Sequence, residues 1–199
     1  MGGAGDGVGR YVPLGVLVLI AAVTVTITLA LGTVMVMRGC SRHRAIRAAA
    51  ATLLLGNLAV LFVLSIYQRQ PERGINLVPL RSITRELHNV NTQIGLANVF
   101  GNILVFMPIG FLTPVVLKSR ARVGVLAAAA MSLLVEVVQY ATASGISDID
   151  DITTNVLGAL IGALILMLTR SYDHSHGGGL GVAVVSSKAA PHYSNSKHL

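Results

Sequence analysis

The chain has 199 residues, 53% of them hydrophobic and only 12% charged, with a mean hydropathy of +0.72. A soluble domain carries about 25% charge, so this composition excludes one and indicates a membrane protein. The surplus of seven positive charges does not indicate a nucleic-acid partner, because the basic residues sit in short runs between apolar stretches.

Residues 1–10 are rich in glycine and are expected to be frayed. The apolar run 12–37 is too long for a signal-peptide core and reads as a retained first span. The loop 38–47 carries four arginines and no acid, which places it in the cytoplasm. Its Cys40, the only cysteine, excludes an internal disulfide and lacks partners for a zinc site. A second span follows over 45–67, interrupted only by Asn57. The one long polar segment, 68–97, then faces outward with Arg81 and Arg85 among its cations.

The third span covers 98–117 and contains Pro108 and Pro114, so a kinked or broken helix is expected there. Lys118, Arg120 and Arg122 mark a second cytoplasmic turn, and 123–143 forms the fourth span with Glu136 and Gln139 in its last third. The turn 142–147 has no basic residue, the fifth span runs over 152–168, and Arg170 returns the chain to the cytoplasm. This scheme puts ten basic residues inside and five outside. It predicts an all-α fold, a polytopic membrane helix bundle of about five transmembrane helices, with the N-terminus outside and the C-terminus cytoplasmic. The tail 171–199, rich in Gly, Ser and His, reads as disordered and its histidines as solvated.

Polar residues in such a bundle carry most of the functional information. Asp148, Asp151, Asn155, Gly158 and Gly162 follow spacings of three and four and therefore share one helical stripe, with Asp150 turned about 100° from Asp151. Ser147 and Asp150 fit a capping box, a structural role that competes with a functional one. Gly158 and Gly162 suit close helix packing, within one chain or between two. Asn98 and Asn102 lie one turn apart, as do Glu136 and Gln139, and the topology brings all three groups to the same leaflet. The asparagines and Gln139 also suit plain interhelical hydrogen bonding. The simplest functional account is one polar pocket covered by 68–97, with Asn76 and Arg81 at its edge and Arg81 or Arg85 neutralising the acids.

These residues together resemble the VanZ-like family of bacterial membrane proteins. The resemblance covers 76–162 and rests on Asn76-Leu77-Val78-Pro79, Asn98-Val99-Phe100-Gly101-Asn102, Phe106-Met107-Pro108-Ile109-Gly110-Phe111, Ser132 with Glu136 and Gln139, and Asp148-Ile149-Asp150-Asp151 through Gly162. It divides the chain into two N-terminal spans (1–67), a VanZ-like domain (68–170) and the tail (171–199). Members often carry an arginine shortly before the first aspartate of the acidic motif, where this chain has Ser144-Gly145-Ile146-Ser147. The pairing duty then passes to the 68–97 segment or to a ligand.

The resemblance implies a plasma-membrane location and a role in the cell envelope, the family being named for a protein linked to resistance to the glycopeptide teicoplanin. The pocket would bind membrane lipid, a lipid-linked envelope precursor or a lipophilic antibiotic, with no cofactor and no bond chemistry. One alternative is a membrane enzyme that acts on a lipid phosphate headgroup, with a divalent cation on Glu136, Asp148 and Asp151. Another is a small ion-coupled transporter that titrates at Glu136.

Overall fold

The computed structural model describes residues 14–67, 73–88 and 92–177. The glycine-rich start, and the tail from residue 178 with its His192 and His198, lie outside them. The element order is α1 (Leu14–Met37), α2 (Arg42–Tyr67), β1 (Arg73–Asn76), α3 (Arg81–His88), α4 (Thr92–Val116), α5 (Ala121–Ala141), β2 (Gly145–Asp148) and α6 (Ile149–Gly177). Five of these helices, all but α3, are long and apolar enough to cross a membrane. The helix α6 continues to Gly177, beyond the point where the sequence suggested that the tail begins.

The two N-terminal helices meet at a turn of four residues, in which Gly39 takes a φ of +65°. Arg42 and Arg44 therefore lie on the first turn of α2 rather than in a loop. Cations are unfavourable at a helix N-terminus, but Arg47 reaches away from it. Its Nε and Nη2 donate to the Val116 carbonyl at the end of α4, at 3.2 and 3.0 Å. Arg170 likewise donates to the Ser119 carbonyl at 3.2 Å. The Arg47 guanidinium thus satisfies the last carbonyl of α4, and Arg170 satisfies one in the turn that follows.

Helix α4 is central and packs on α2, α5 and α6. Phe106 and Ile109 from α4, Ala128 from α5 and Ala159 from α6 form the buried core, flanked by Leu54, Leu58 and Leu61 of α2. The α4–α6 contact depends on missing side chains. A Cβ on Gly162 would strike the Met107 carbonyl, one on Gly158 the Ile103 backbone, and one on Gly110 the Ala159 backbone. The glycine stripe of α6 therefore seats against α4 within the chain.

Pro108 and Pro114 do not break α4, which is one helix from Thr92 to Val116. The physical reason is visible at Pro114. Lacking an N–H, it leaves the Gly110 carbonyl without its i+4 donor. That carbonyl lies against Gly124 of α5, where a Cβ would collide with it. The freed carbonyl therefore packs on the bare glycine face of the neighbouring helix.

The unexpected element is a two-stranded parallel sheet. β1 pairs with β2 in the register Arg73 to Gly145 through Asn76 to Asp148. One strand comes from the polar 68–97 segment and the other from the short turn before α6. The pairing ties that segment to the end of the bundle where the polar residues lie.

Candidate functional site

β2 runs directly into α6, so its last residue, Asp148, becomes the helix cap. Asp148 Oδ1 accepts the Asp150 amide at 2.9 Å. This replaces the Ser147–Asp150 capping box inferred from sequence, because Ser147 Oγ donates instead to the Glu136 carbonyl on α5, at 2.7 Å. The strand register also brings Asn76 opposite Asp148. Asn76 Nδ2 donates to both carboxylate oxygens, at 3.2 and 3.1 Å, and to Ser82 Oγ at 3.0 Å. Ser82 Oγ in turn donates to Asp148 Oδ2.

Asp150, 3% exposed, performs a second capping task at long range. Its Oδ1 accepts the Leu80 amide at 2.6 Å, and its Oδ2 accepts the amides of Ser82 and Ile83 at 2.9 and 3.3 Å. These are the N–H groups at the start of α3 that have no partner within that helix. The two acids thus sit at the N-termini of α6 and α3, where the backbone dipole favours negative charge.

The sequence suggested that Arg81 or Arg85 neutralises the acids. Among the described residues no ion pair joins either arginine to Asp148 or Asp150, and Arg81 is exposed. Backbone amides, Asn76 and Ser82 of the same segment take that role for Asp148 and Asp150.

Beneath this latch lies a cavity of about 220 Å³ between α2, α4, α5 and α6. Asn98 and Asn102, Glu136 and Gln139, and Asp151 and Asn155 all line it. The three polar pairs therefore meet at one end of the bundle. Glu136 is buried, and its Oε2 accepts the Asp148 amide at 2.9 Å. Asn102 Nδ2 donates to Asp151 Oδ1 at 3.0 Å and to Thr154 Oγ1 at 3.3 Å. Asn155 Nδ2 donates to Ser132 Oγ at 2.9 Å, while its buried Oδ1 has no partner. Such an orphan costs about 1–3 kcal/mol unless a ligand or water supplies a donor.

Two further cavities adjoin the first. A polar one of about 170 Å³ shares Asn98 and Asp151 with it and adds Ser82, Arg85, Asp148 and Asp150. An apolar one of about 380 Å³ lies between α2 and α5, lined by residues such as Leu58, Phe62, Met131 and Leu134. It shares Leu61, Ser65, Val135 and Gln139 with the polar cavity.

As for a cation, Asp148 and Asp150 turn their oxygens to protein donors. Among the described residues no group of three His, Cys, Asp or Glu is arranged to hold a metal.

Four features of this site escaped the sequence reading: Asp150 as a remote cap, Ser82, Thr154, and Ser65 with the α2 wall. The α2 signal was present, since Asn57, Leu61 and Ser65 are spaced by four and share a face. Thr154, three residues beyond Asp151, was also within reach of helical periodicity.

The family model described as VanZ/LLP1 matches residues 50–170, from the first turns of α2 through the spanning part of α6. No curated protein and no solved structure matches the chain.

Proposed function

The chain belongs to the VanZ/LLP1 family, and from that premise we propose that it is a multi-pass membrane protein of the bacterial cell envelope that holds an amphiphile. The headgroup occupies the polar cavity and the acyl chain the apolar one beside it. The observation that carries this reading is the junction of the two cavities on Leu61, Ser65, Val135 and Gln139. An amphiphile needs that sequence of environments, and the apolar cavity alone falls within the roughly 300–1,000 Å³ of small-molecule sites.

The orientation we propose has the N-terminus outside, the C-terminus cytoplasmic and the polar cavity at the outer face. Charge supports it. Arg47 and Arg170 gather at the α4–α5 turn, about 21 Å along α4 from Asn102. Acids and amides occupy the other end. An outward cavity of this kind suits a lipid-linked envelope precursor or a lipophilic antibiotic of the teicoplanin type.

The test is co-purification. The full chain, extracted in mild detergent, is expected to carry one amphiphile detectable by native mass spectrometry. Ser65→Phe, which plugs the junction, is expected to lose it while the protein still melts cooperatively. Equal retention by both proteins would refute the proposal.

A further inference from the structure

The end of the bundle away from the polar cavity is cationic. Segments 38–47 and 117–122 hold Arg38, Arg42, Arg44, Arg47, Lys118, Arg120 and Arg122 and contain no acid. Glu136, Asp148, Asp150 and Asp151 lie around the cavities at the other end. Two arginines tie the basic turns into one surface, Arg47 through the Val116 carbonyl and Arg170 through the Ser119 carbonyl. Arg38, Arg42, Arg44, Lys118, Arg120 and Arg122 are exposed, and none of them pairs with an acid among the described residues. Arg120 precedes α5 without capping it through its side chain. Orienting a chain in a membrane needs only a bias of charge between its loops, and does not need those loops bonded together.

We infer that this surface holds the phosphate headgroups of anionic membrane lipids. Depth favours a lipid over a soluble anion. Arg38 directly follows the span that ends at Met37, and Arg42 and Arg44 open the second span. Lys118, Arg120 and Arg122 flank the boundary between the span that ends at Val116 and the one that begins at Ala121. Each charge therefore stands where an apolar span gives way to headgroups. Met37 and Leu117, the neighbours of Arg38 and Lys118, are exposed apolar side chains suited to acyl carbon. Long basic side chains join those two environments, with the stem in the apolar layer and the charge at the phosphate. This surface lies at the opposite end from the cavities proposed for the amphiphile, and the inference stands apart from that proposal.

The experiment uses the full chain in detergent, with phosphatidylglycerol and phosphatidylcholine of identical acyl chains in competition, read by native mass spectrometry. Both lipids carry a phosphate, and only the first has a net charge. Phosphatidylglycerol is expected to be held about 25-fold more tightly at low salt, the effect of two near-surface cations on one phosphate. That margin is expected to shrink as salt is raised from about 0.05 to about 0.5 M. Neutralising either turn, as Arg38→Gln/Arg42→Gln/Arg44→Gln or as Lys118→Gln/Arg120→Gln/Arg122→Gln, is expected to remove most of it while cooperative melting is kept. Arg47 and Arg170 stay in place because they hold carbonyls. Arg120→Gln alone is expected to lose about fivefold.

Ser65→Phe, which plugs the junction between the cavities, is expected to leave the preference unchanged. Its loss in that variant would assign the anionic lipid to the cavities and overturn the inference. Equal retention of the two lipids by the parent chain would overturn it, as would a preference that survives both triple substitutions. Where a triple variant fails to melt cooperatively, an unchanged preference in Arg120→Gln has the same force. Glycerol phosphate that displaces phosphatidylglycerol at equal concentration would replace the lipid by a soluble phosphate. Tighter retention of a short single-stranded oligonucleotide than of phosphatidylglycerol, at about 0.15 M salt, would overturn the inference in favour of nucleic acid.

Discussion

Asp150 gives the sharpest quantitative test of how this molecule is held together. Asp150→Ala removes the acceptor of the Leu80, Ser82 and Ile83 amides at 2.6, 2.9 and 3.3 Å. The longest of these shares an oxygen with the second, so two full charge-assisted bonds are at stake. At about 1.5–3 kcal/mol each, the loss is about 3–6 kcal/mol. That energy falls on one local event, the lifting of α3 from the start of α6, because the α4–α6 glycine contact does not pass through Asp150. The opening equilibrium is therefore expected to shift by about a hundredfold or more. Asp150→Asn keeps one acceptor oxygen and is expected to give roughly half the effect in free energy. The assay is thiol labelling of Ile83→Cys in a Cys40→Ser background, with the protein in detergent. The labelling rate is expected to be lowest with Asp150 intact, higher in Asp150→Asn and highest in Asp150→Ala, while global thermal unfolding changes less. An unchanged rate in Asp150→Ala would show that the carboxylate does not anchor α3.

Glycines should divide sharply by position. Gly162→Ala puts a Cβ into the Met107 carbonyl and is expected to cost about 1–3 kcal/mol or more in thermal unfolding. Gly32→Ala, with nothing within 4 Å of its Cβ, is expected to be neutral or to stabilise by up to about 1 kcal/mol through helix propensity. Topology is best read at exposed sites. Cysteine placed at Leu77 is expected to react with an impermeant thiol reagent in intact cells, and cysteine at Lys118 only after permeabilisation; the reverse pattern would invert the chain. The double substitution Ser132→Ala with Asn155→Leu removes a buried hydrogen bond together with its orphan oxygen. It is expected to leave thermal stability within about 1 kcal/mol of the parent and to abolish amphiphile retention, both measured on the same preparation.

Much of the site could be read from helical spacing. Asn98 with Asn102, Glu136 with Gln139, and Asp151 with Asn155 each share a face because helix geometry alone fixes what lies three or four residues away. Alternating apolar and polar segments then fix which ends of the spans coincide. The role of Asp150 was not readable in this way. A first-turn acid satisfies the dipole of its own helix and that of a foreign one equally well, and nothing in Ser147–Asp151 says which N–H groups it will meet.

The sequence by itself determined five apolar helices, the family and the polar stripes, because each follows from composition or local periodicity, whereas the polar extensions of α4 back to Thr92 and of α6 on to Gly177 were not read. Only the tertiary structure decided that Arg73–Asn76 lies beside Gly145–Asp148, that α3 is capped from α6, and that α2 supplies a wall of both cavities. Strands of four residues carry too little pattern to specify a partner some seventy residues away. Their pairing is selected when the helices, seated glycine to backbone, bring two short polar segments to one end of the bundle, where their donors and acceptors can satisfy each other.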